Sequence, residues 1–331
     1  MQLNPLALHR KAWLSCALLA LGIGTAQAQP APAAPPWPTQ PVKWVVPYAP
    51  GGTTDVIARQ LAVQMGKDLG QPVVVDNRAG AAGIIGAEIA ARSPGDGYTL
   101  FMAVNSIMGV NPHIYSKLPY DSLRDFVPVA QVARVPYVLV AGLNQPFRSL
   151  GEVLARARAA PGSIDYGSLG VGSGPHVVME MLCNMAGVKM MHIPYKASPL
   201  QDVIAGQVAL AFDPATTAIP MVRAGKLRAL AVTSTGRLAS LPDVPAVAET
   251  IPGFDGDGWQ GIYAPAGTPA EVVERLNREI TLALQQPAMR ARLADLGLTP
   301  AAGTPREFAQ LSRLEYDKWG KIVRANHIHV D

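Results

Sequence analysis

Two stretches of this 331-residue chain bring glycines, hydroxyl side chains and the start of a helix together. The first is Tyr48-Ala49-Pro50-Gly51-Gly52-Thr53-Thr54-Asp55, and the second is Leu169-Gly170-Val171-Gly172-Ser173-Gly174-Pro175, which follows Ser168. A helix beginning at Thr53 or Thr54 leaves its first N–H groups without acceptors and places the positive end of its dipole there, while Gly51 and Gly52 let a ligand approach the backbone. Gly170, Gly172, Ser173 and Gly174 repeat the arrangement, so a carboxylate could be clasped from two sides. The same residues also make ordinary tight strand-to-helix turns, and the pattern by itself leaves both readings open.

Other candidates carry paired readings as well. Asp55 either orients donors near a ligand or is simply an acid in a first helical turn, where it is favourable in any case. Asp213 precedes Pro214 and a predicted helix, which a capping role explains. Asn105 and Ser106 follow the C-terminal end of a strand, the position at which open α/β sheets place ligands. Tyr48 and Tyr195 read as cleft walls or as core, Lys196 as one further positive charge or as a solvated side chain, and His176 as a helix-start residue in preference to a metal ligand. Cys183, among Val178, Met179, Leu182 and Ala186, reads as a buried small hydrophobe. Enzyme signatures are missing: there is no G-x-S-x-G elbow at Ser168 or Ser173, no H-E-x-x-H, no P-loop and no complete dinucleotide fingerprint. A dispersed triad using Ser173 and His176 is the surviving hydrolase alternative. No metal or cofactor is expected, and His327 and His329 read as alternating residues at a terminus.

The elements that must position these residues alternate. Val42–Val46 reads as a strand, and Ile57, Leu61, Met65 and Leu69 mark one stripe of the following helix. Val73–Val75 is a strand, 77–83 a loop containing Ala82 and Gly83, then a helix to Arg92 and a strand over Tyr98–Val104. A second series begins with the capping pair Ser149 and Glu152. It continues with strands at 164–168, 190–194, 208–212 and 227–233 and helices at 177–186, about 199–205 and 215–224. Thr268 with Glu271 and Thr304 with Glu307 predict two further helix starts. Such alternation predicts an α/β protein with mostly parallel sheets.

Ahead of all this, Arg10 and Lys11 precede an apolar run over Ala12–Gly24, too short for the roughly 20 residues of a bilayer span. Ala26-Gln27-Ala28 then supplies a signal-peptidase pattern, with cleavage expected after Ala28 and export as the consequence. A retained anchor and a lipoprotein signal at Cys16 are the alternatives. Six prolines between Pro30 and Pro41 read as an extended tether over 29–41. Loss of the leader leaves 26 basic against 24 acidic residues from an initial 28 and 24, too even a balance for nucleic-acid binding. Only Cys183 survives processing, so no internal disulfide can form. About 300 residues, on the usual size of a domain, predict two lobes.

These strings resemble the extracytoplasmic receptors of tripartite tricarboxylate transporters, the Bug family. The resemblance runs through Tyr48–Asp55, Gly70-Gln-Pro-Val-Val-Val-Asp-Asn-Arg-Ala-Gly80, Gly95-Asp-Gly-Tyr-Thr-Leu100, Leu118-Pro-Tyr-Asp121, His192-Ile-Pro-Tyr-Lys196, 224–231, Leu241-Pro-Asp-Val-Pro245 and Ala264-Pro-Ala-Gly-Thr-Pro269. It implies a type II periplasmic binding-protein fold: two lobes with central β-sheets joined by two crossover segments, with lobe 1 over 42–142 and 263–331 and lobe 2 over 143–262. Hinges are expected near Val138–Gly142 and Trp259–Tyr263. It also implies a monomeric periplasmic receptor, not an enzyme, that hands a small carboxylate to membrane transporter subunits or reports it to a membrane sensor. Residues matching the family's cleft are Tyr48, Gly51, Gly52, Thr53, Thr54, Asp55, Ala82, Gly83, Asn105, Ser106, Ser168, Gly170, Gly172, Ser173, Tyr195 and Asp213. Ala197-Ser198 departs from the family's usual glycine there.

Overall fold

A computed structural model describes residues 37–330; the leader over 1–28, its cleavage point and the tether up to residue 36 lie outside the described residues. The first apolar run forms strand Val42–Val46 (β1), in which Val42, Trp44, Val45 and Val46 are fully buried. The stripe Ile57, Leu61, Met65 and Leu69 turns helix Thr53–Leu69 (α1) onto the core, and Gly70 ends it in the left-handed conformation at φ 70°. Strand Val73–Asn77 (β2), a tight turn at Ala81–Gly83, helix Ile84–Ala91 (α2) and strand Thr99–Val104 (β3) follow. A π-helical turn, Ser106–Val110, then runs into helix Asn111–Ile114 (α3).

Two strands outside the sequence expectation come next, Phe126–Val135 (β4) and Tyr137–Gly142 (β5). The second series contains Leu150–Ala159 (α4), Asp165–Ser168 (β6), Gly174–Ala186 (α5), Met191–Pro194 (β7), Leu200–Ala205 (α6), Leu210–Pro214 (β8), Ala215–Arg223 (α7), Leu227–Val232 (β9) and Val247–Thr250 (α8). The chain closes with Gly258–Pro265 (β10), Ala270–Gln285 (α9), Pro287–Asp295 (α10), Thr299–Pro300 (β11) and Pro305–Ala325 (α11). The caps at Ser149 and Thr304 form as expected, each hydroxyl accepting an N–H three residues on at 3.2 Å. Thr268 does otherwise: its hydroxyl donates to the Pro265 carbonyl at 2.8 Å, and α9 starts without a side-chain cap.

The strands make two sheets, ordered β11-β4-β10-β3-β1-β2 and β7-β6-β8-β5-β9. Both are mixed. β1 runs parallel to β2 and β3, and β6 to β7 and β8, but β10 is antiparallel to β3 and β4, and β5 to β8 and β9. β5 and β10 each enter a sheet from the other lobe without a helix covering that sheet first, so the crossover that forces parallel neighbours does not apply to them.

Sheet membership also places the lobe junctions differently from 142/143 and 262/263. β5, expected in lobe 1, is an inner strand of the second sheet, and Gly258–Ile262, expected in lobe 2, pairs with β3 and β4 of the first. The chain therefore passes between sheets at Pro136 and again between Val232 and Gly258. The expected hinge stretches lie inside hydrogen-bonded ladders, which resist bending. The C-terminal helix serves both lobes, because Trp319 and Val323 of α11 pack with Tyr166, Val177 and Leu139 of the second.

Candidate functional site

The first glycine loop is held from beneath. Gly51 takes φ 83°, a conformation that glycine adopts without strain, and its N–H donates to Asp55 Oδ2 at 2.8 Å. The same carboxylate receives Arg59 Nε at 3.0 Å and Asn77 Nδ2 at 2.9 Å, while Asn77 Nδ2 also reaches the Tyr48 carbonyl at 3.0 Å. Burial pushes the Asp55 carboxyl up, but the bonds from Arg59, Gly51 and Asn77 outweigh it and hold the group below the usual range. Asp55 is thus the loop's fastener. Gly52 precedes α1 with φ −71° and no side chain caps the helix start, so the first-turn N–H groups have no partner within the helix. Thr54 Oγ1 accepts a hydrogen bond from Gln260 Nε2 at 3.2 Å, with both residues buried.

The second loop is built differently. Gly170 N–H goes to Ser168 Oγ at 3.1 Å, Gly172 N–H to His176 Nδ1 at 3.0 Å, and Ser173 N–H to the Gly170 carbonyl at 3.2 Å. Ser173 Oγ donates to that carbonyl at 2.7 Å. Most of this loop's donors are spent inside the loop, and Pro175 brings none to the first turn of α5. Both helices start without a side-chain cap, but the first loop spends fewer of its own amides than the second. Beneath the second loop, His176 and His192 stack at 3.8 Å between ring centres, with Tyr166 stacked on His192 at 5.0 Å. Ser168 Oγ lies 2.7 Å from His192 Nε2. Burial drives both imidazoles down, His176 to about 3 and His192 to about 4, so both are neutral supports. His176 stands in the first turn of α5, the helix-start position expected of it.

Between the loops runs a cleft of about 570 Å³ that elements of both lobes line. It gathers Tyr48, Gly52, Thr53, Thr54, Ala82, Asn105, Ser106, Gly172 and Ser173 from the sequence candidates. Gly51, Asp55, Gly83, Ser168, Gly170, Tyr195 and Asp213 are not among its lining residues, and most have other work. Gly83 packs so closely that a Cβ there would stand 2.4 Å from Ile107 Cδ1. Tyr195 donates to Asp202 Oδ2 at 2.7 Å, and burial with that carboxylate pushes its phenol up to about 12. Asp213, 1% exposed, accepts from Ser198 Oγ at 3.1 Å and from Thr217 Oγ1; burial pushes its carboxyl up to about 6. Its partner Thr217 does line the cleft. Lys196 is exposed and off the lining.

The lining also includes residues that sequence reading missed, chiefly Tyr137, Leu169, Val171, Thr216, Thr217, Trp259 and Gln260. Leu169 and Val171 lie inside the second loop, and Thr216 and Thr217 open the helix after Asp213, so proximity to those candidates was a usable signal. Trp259, Gln260 and Tyr137 carried none, since their strands β10 and β5 went unread. The Tyr137 hydroxyl wedges between Gly174 and Gly258, 2.1 and 2.8 Å from where a Cβ would stand on each. Tyr48, bonded to Ser106, has its phenol pushed up to about 12 by burial. None of the lining residues is Asp, Glu, Lys, Arg or His. Elsewhere Cys183 is buried as expected, its thiol pushed up to about 12 by burial. No group of metal-ligating side chains occurs and no helix is long and apolar enough to cross a membrane among the described residues.

Comparison with known proteins gives this arrangement a context. Residues 57–328 match the family model described as tripartite tricarboxylate transporter family receptor. The chain is 37% identical over 312 residues to protein BugT of Bordetella pertussis, covering 93% of this chain and 96% of that one. Its fold superposes with a TM-score of 0.78 on Rpa4515 of R. palustris with adipate, at 35% identity, covering 88% and 99% of the two chains. It superposes with a TM-score of 0.75 on the periplasmic binding protein BugD, at 31% identity, covering 88% and 99%. The two mixed sheets and the cleft between them are the two-lobed periplasmic binding-protein fold that the sequence motifs implied.

Proposed function

The chain belongs to the tripartite tricarboxylate transporter receptor family, and from that membership we propose that it is a periplasmic receptor which captures a small carboxylate-bearing molecule in this cleft and delivers it to the membrane subunits of such a transporter. It works as a monomer and performs no chemistry on its ligand. The observation that carries the reading is the start of α1: an uncapped helix N-terminus beside Gly51 and Gly52, in a cleft lined by no Asp, Glu, Lys, Arg or His. An anion there is held by N–H groups, hydroxyls and the helix dipole, not by an ion pair. The adipate in Rpa4515 supports a carboxylate ligand.

Native mass spectrometry of the gently purified protein identifies the retained ligand, and titration calorimetry with it tests the mechanism. Thr53→Ala should weaken binding by about 1–3 kcal/mol, the usual loss when a polar partner is stranded. Lys196→Ala should leave affinity unchanged. Loss of affinity in the lysine variant alone would overturn the proposal, since a side-chain charge would then hold the anion.

A further inference from the structure

We infer that the cleft contains a second, uncharged subsite, formed by Asn105, Trp259 and Gln260, that takes a neutral hydrogen-bonding group at the far end of the ligand. This rests on the carboxylate reading above and says what the rest of the molecule must be. Gln260 pairs with Val104 at the last rung of the β10–β3 ladder, and Trp259 and Asn105 are the next residues along their chains, Asn105 already in helical conformation. All three residues line the cleft, and they are only 4, 3 and 3% exposed for Gln260, Trp259 and Asn105. Each carries a side-chain polar atom with no partner in the protein: Asn105 Nδ2, Trp259 Nε1 and Gln260 Oε1. Gln260 Nε2 is engaged by Thr54, and Asn105 Oδ1 lies against Gly258, 3.1 Å from the Cβ position there. The three unpartnered atoms are two donors and one acceptor.

Buried polar groups in native proteins are almost always satisfied, so these three atoms on cleft-lining residues point to a ligand group that both accepts and donates. A hydroxyl or a carboxamide does so. An ionised carboxylate only accepts; it would meet Gln260 Oε1 with no cation in the lining to offset its desolvation. An ammonium only donates and would leave Asn105 and Trp259 unpaired. The favoured ligand is therefore a monocarboxylate with a neutral hydroxyl or amide at its other end, and a dicarboxylate of the same length is a poorer fit.

Titration calorimetry on the whole protein, with adipate, its monoamide adipamate and hexanoate, and with succinate, succinamate and butyrate as a shorter set, tests this. The monoamide should bind roughly tenfold or more tighter than the dicarboxylate and the methyl-ended acid of its length, because a buried unpaired group is costly. Gln260→Leu should narrow that preference to about threefold or less by removing the acceptor. The wild-type panel decides the question without any variant. A dicarboxylate binding as tightly as its monoamide, or more tightly, overturns the neutral subsite while leaving the carboxylate reading standing. Failure of all six to bind overturns the carboxylate reading and this inference with it.

Discussion

Asp213 shows how a residue chosen from sequence can matter by another route. Its type and its place before Pro214 suggested a cap or a ligand contact. It is instead a carboxyl in β8, 1% exposed, held by the Ser198 and Thr217 hydroxyls, and burial raises it to about 6. An acid raised on folding from 3.8 to about 6 binds its proton better in the native state. Its contribution to stability is therefore full below about 4 and lost as pH rises through about 6. Asp213→Asn should abolish that decline, so the difference in melting temperature between variant and wild type should move in the variant's favour between pH 4 and pH 7. A difference that is flat with pH would mean the carboxyl titrates normally. Gly51 was legible for a simpler reason: a glycine pair before a Thr-Thr helix start marks a turn, and φ 83° at Gly51 is what a turn there requires. Which of the pair needed to be glycine was not legible, since Gly52 sits at φ −71° with room for a Cβ.

At the scale of elements, the two glycine loops looked like copies and are not. Neither α1 nor α5 has a side-chain cap, but the loop before α5 spends most of its own amides internally and leans on a histidine stack, whereas the loop before α1 is fastened by Asp55. Neutral His176 accepts the Gly172 N–H, and protonation of Nδ1 would remove that bond. Both histidines are depressed on folding, so the unfolded chain takes up protons first. The stability they supply is full above about 6.5 and declines as pH falls towards about 4 and about 3. Melting temperature should fall between pH 6.5 and pH 5, a window above most carboxylate titrations. His176→Gln combined with His192→Gln should flatten that slope; an unchanged slope would place the acid sensitivity elsewhere. Helix starts with side-chain caps were readable where the partner lay three residues on, as at Ser149 and Thr304. Thr268 had the same letters but bonded back to Pro265, because a turn carbonyl was nearer than the helix amide.

At the scale of the molecule, the two passages between lobes are tied together. Arg134 at the end of β4 donates to Asp257 Oδ2 at 3.1 Å and bonds Asp255; Asp257 Oδ1 accepts from Thr233 Oγ1 at 2.7 Å; Thr233 Oγ1 accepts from the Tyr137 N–H at 2.8 Å. Both crossovers meet in this one network. Arg134→Leu leaves Asp257, 5% exposed, without its counter-charge and should destabilise the protein by roughly 3 kcal/mol. Scattering with saturating ligand should then show less contraction than the wild type, because hinge closure needs the crossovers to keep their register. A variant that melts and contracts like the wild type would remove the network from the hinge.

Features that depend on near neighbours along the chain were readable from the residues. The stripe of α1, the glycine turn at Gly51, the caps at Ser149 and Thr304, the burial of Cys183 and the motifs of the family are all local patterns, and local geometry follows from them. Which sheet each strand joins, and with it the cleft's composition, depends on long-range packing. β5 and β10 are almost uniformly apolar runs, and such a run says it is buried without saying between which partners. Register across strands set Gln260 beside Val104, and lobe apposition put the Tyr137 hydroxyl between Gly174 and Gly258. Those contacts join residues about 40 to 150 positions apart, where no spacing rule reaches and packing alone chooses.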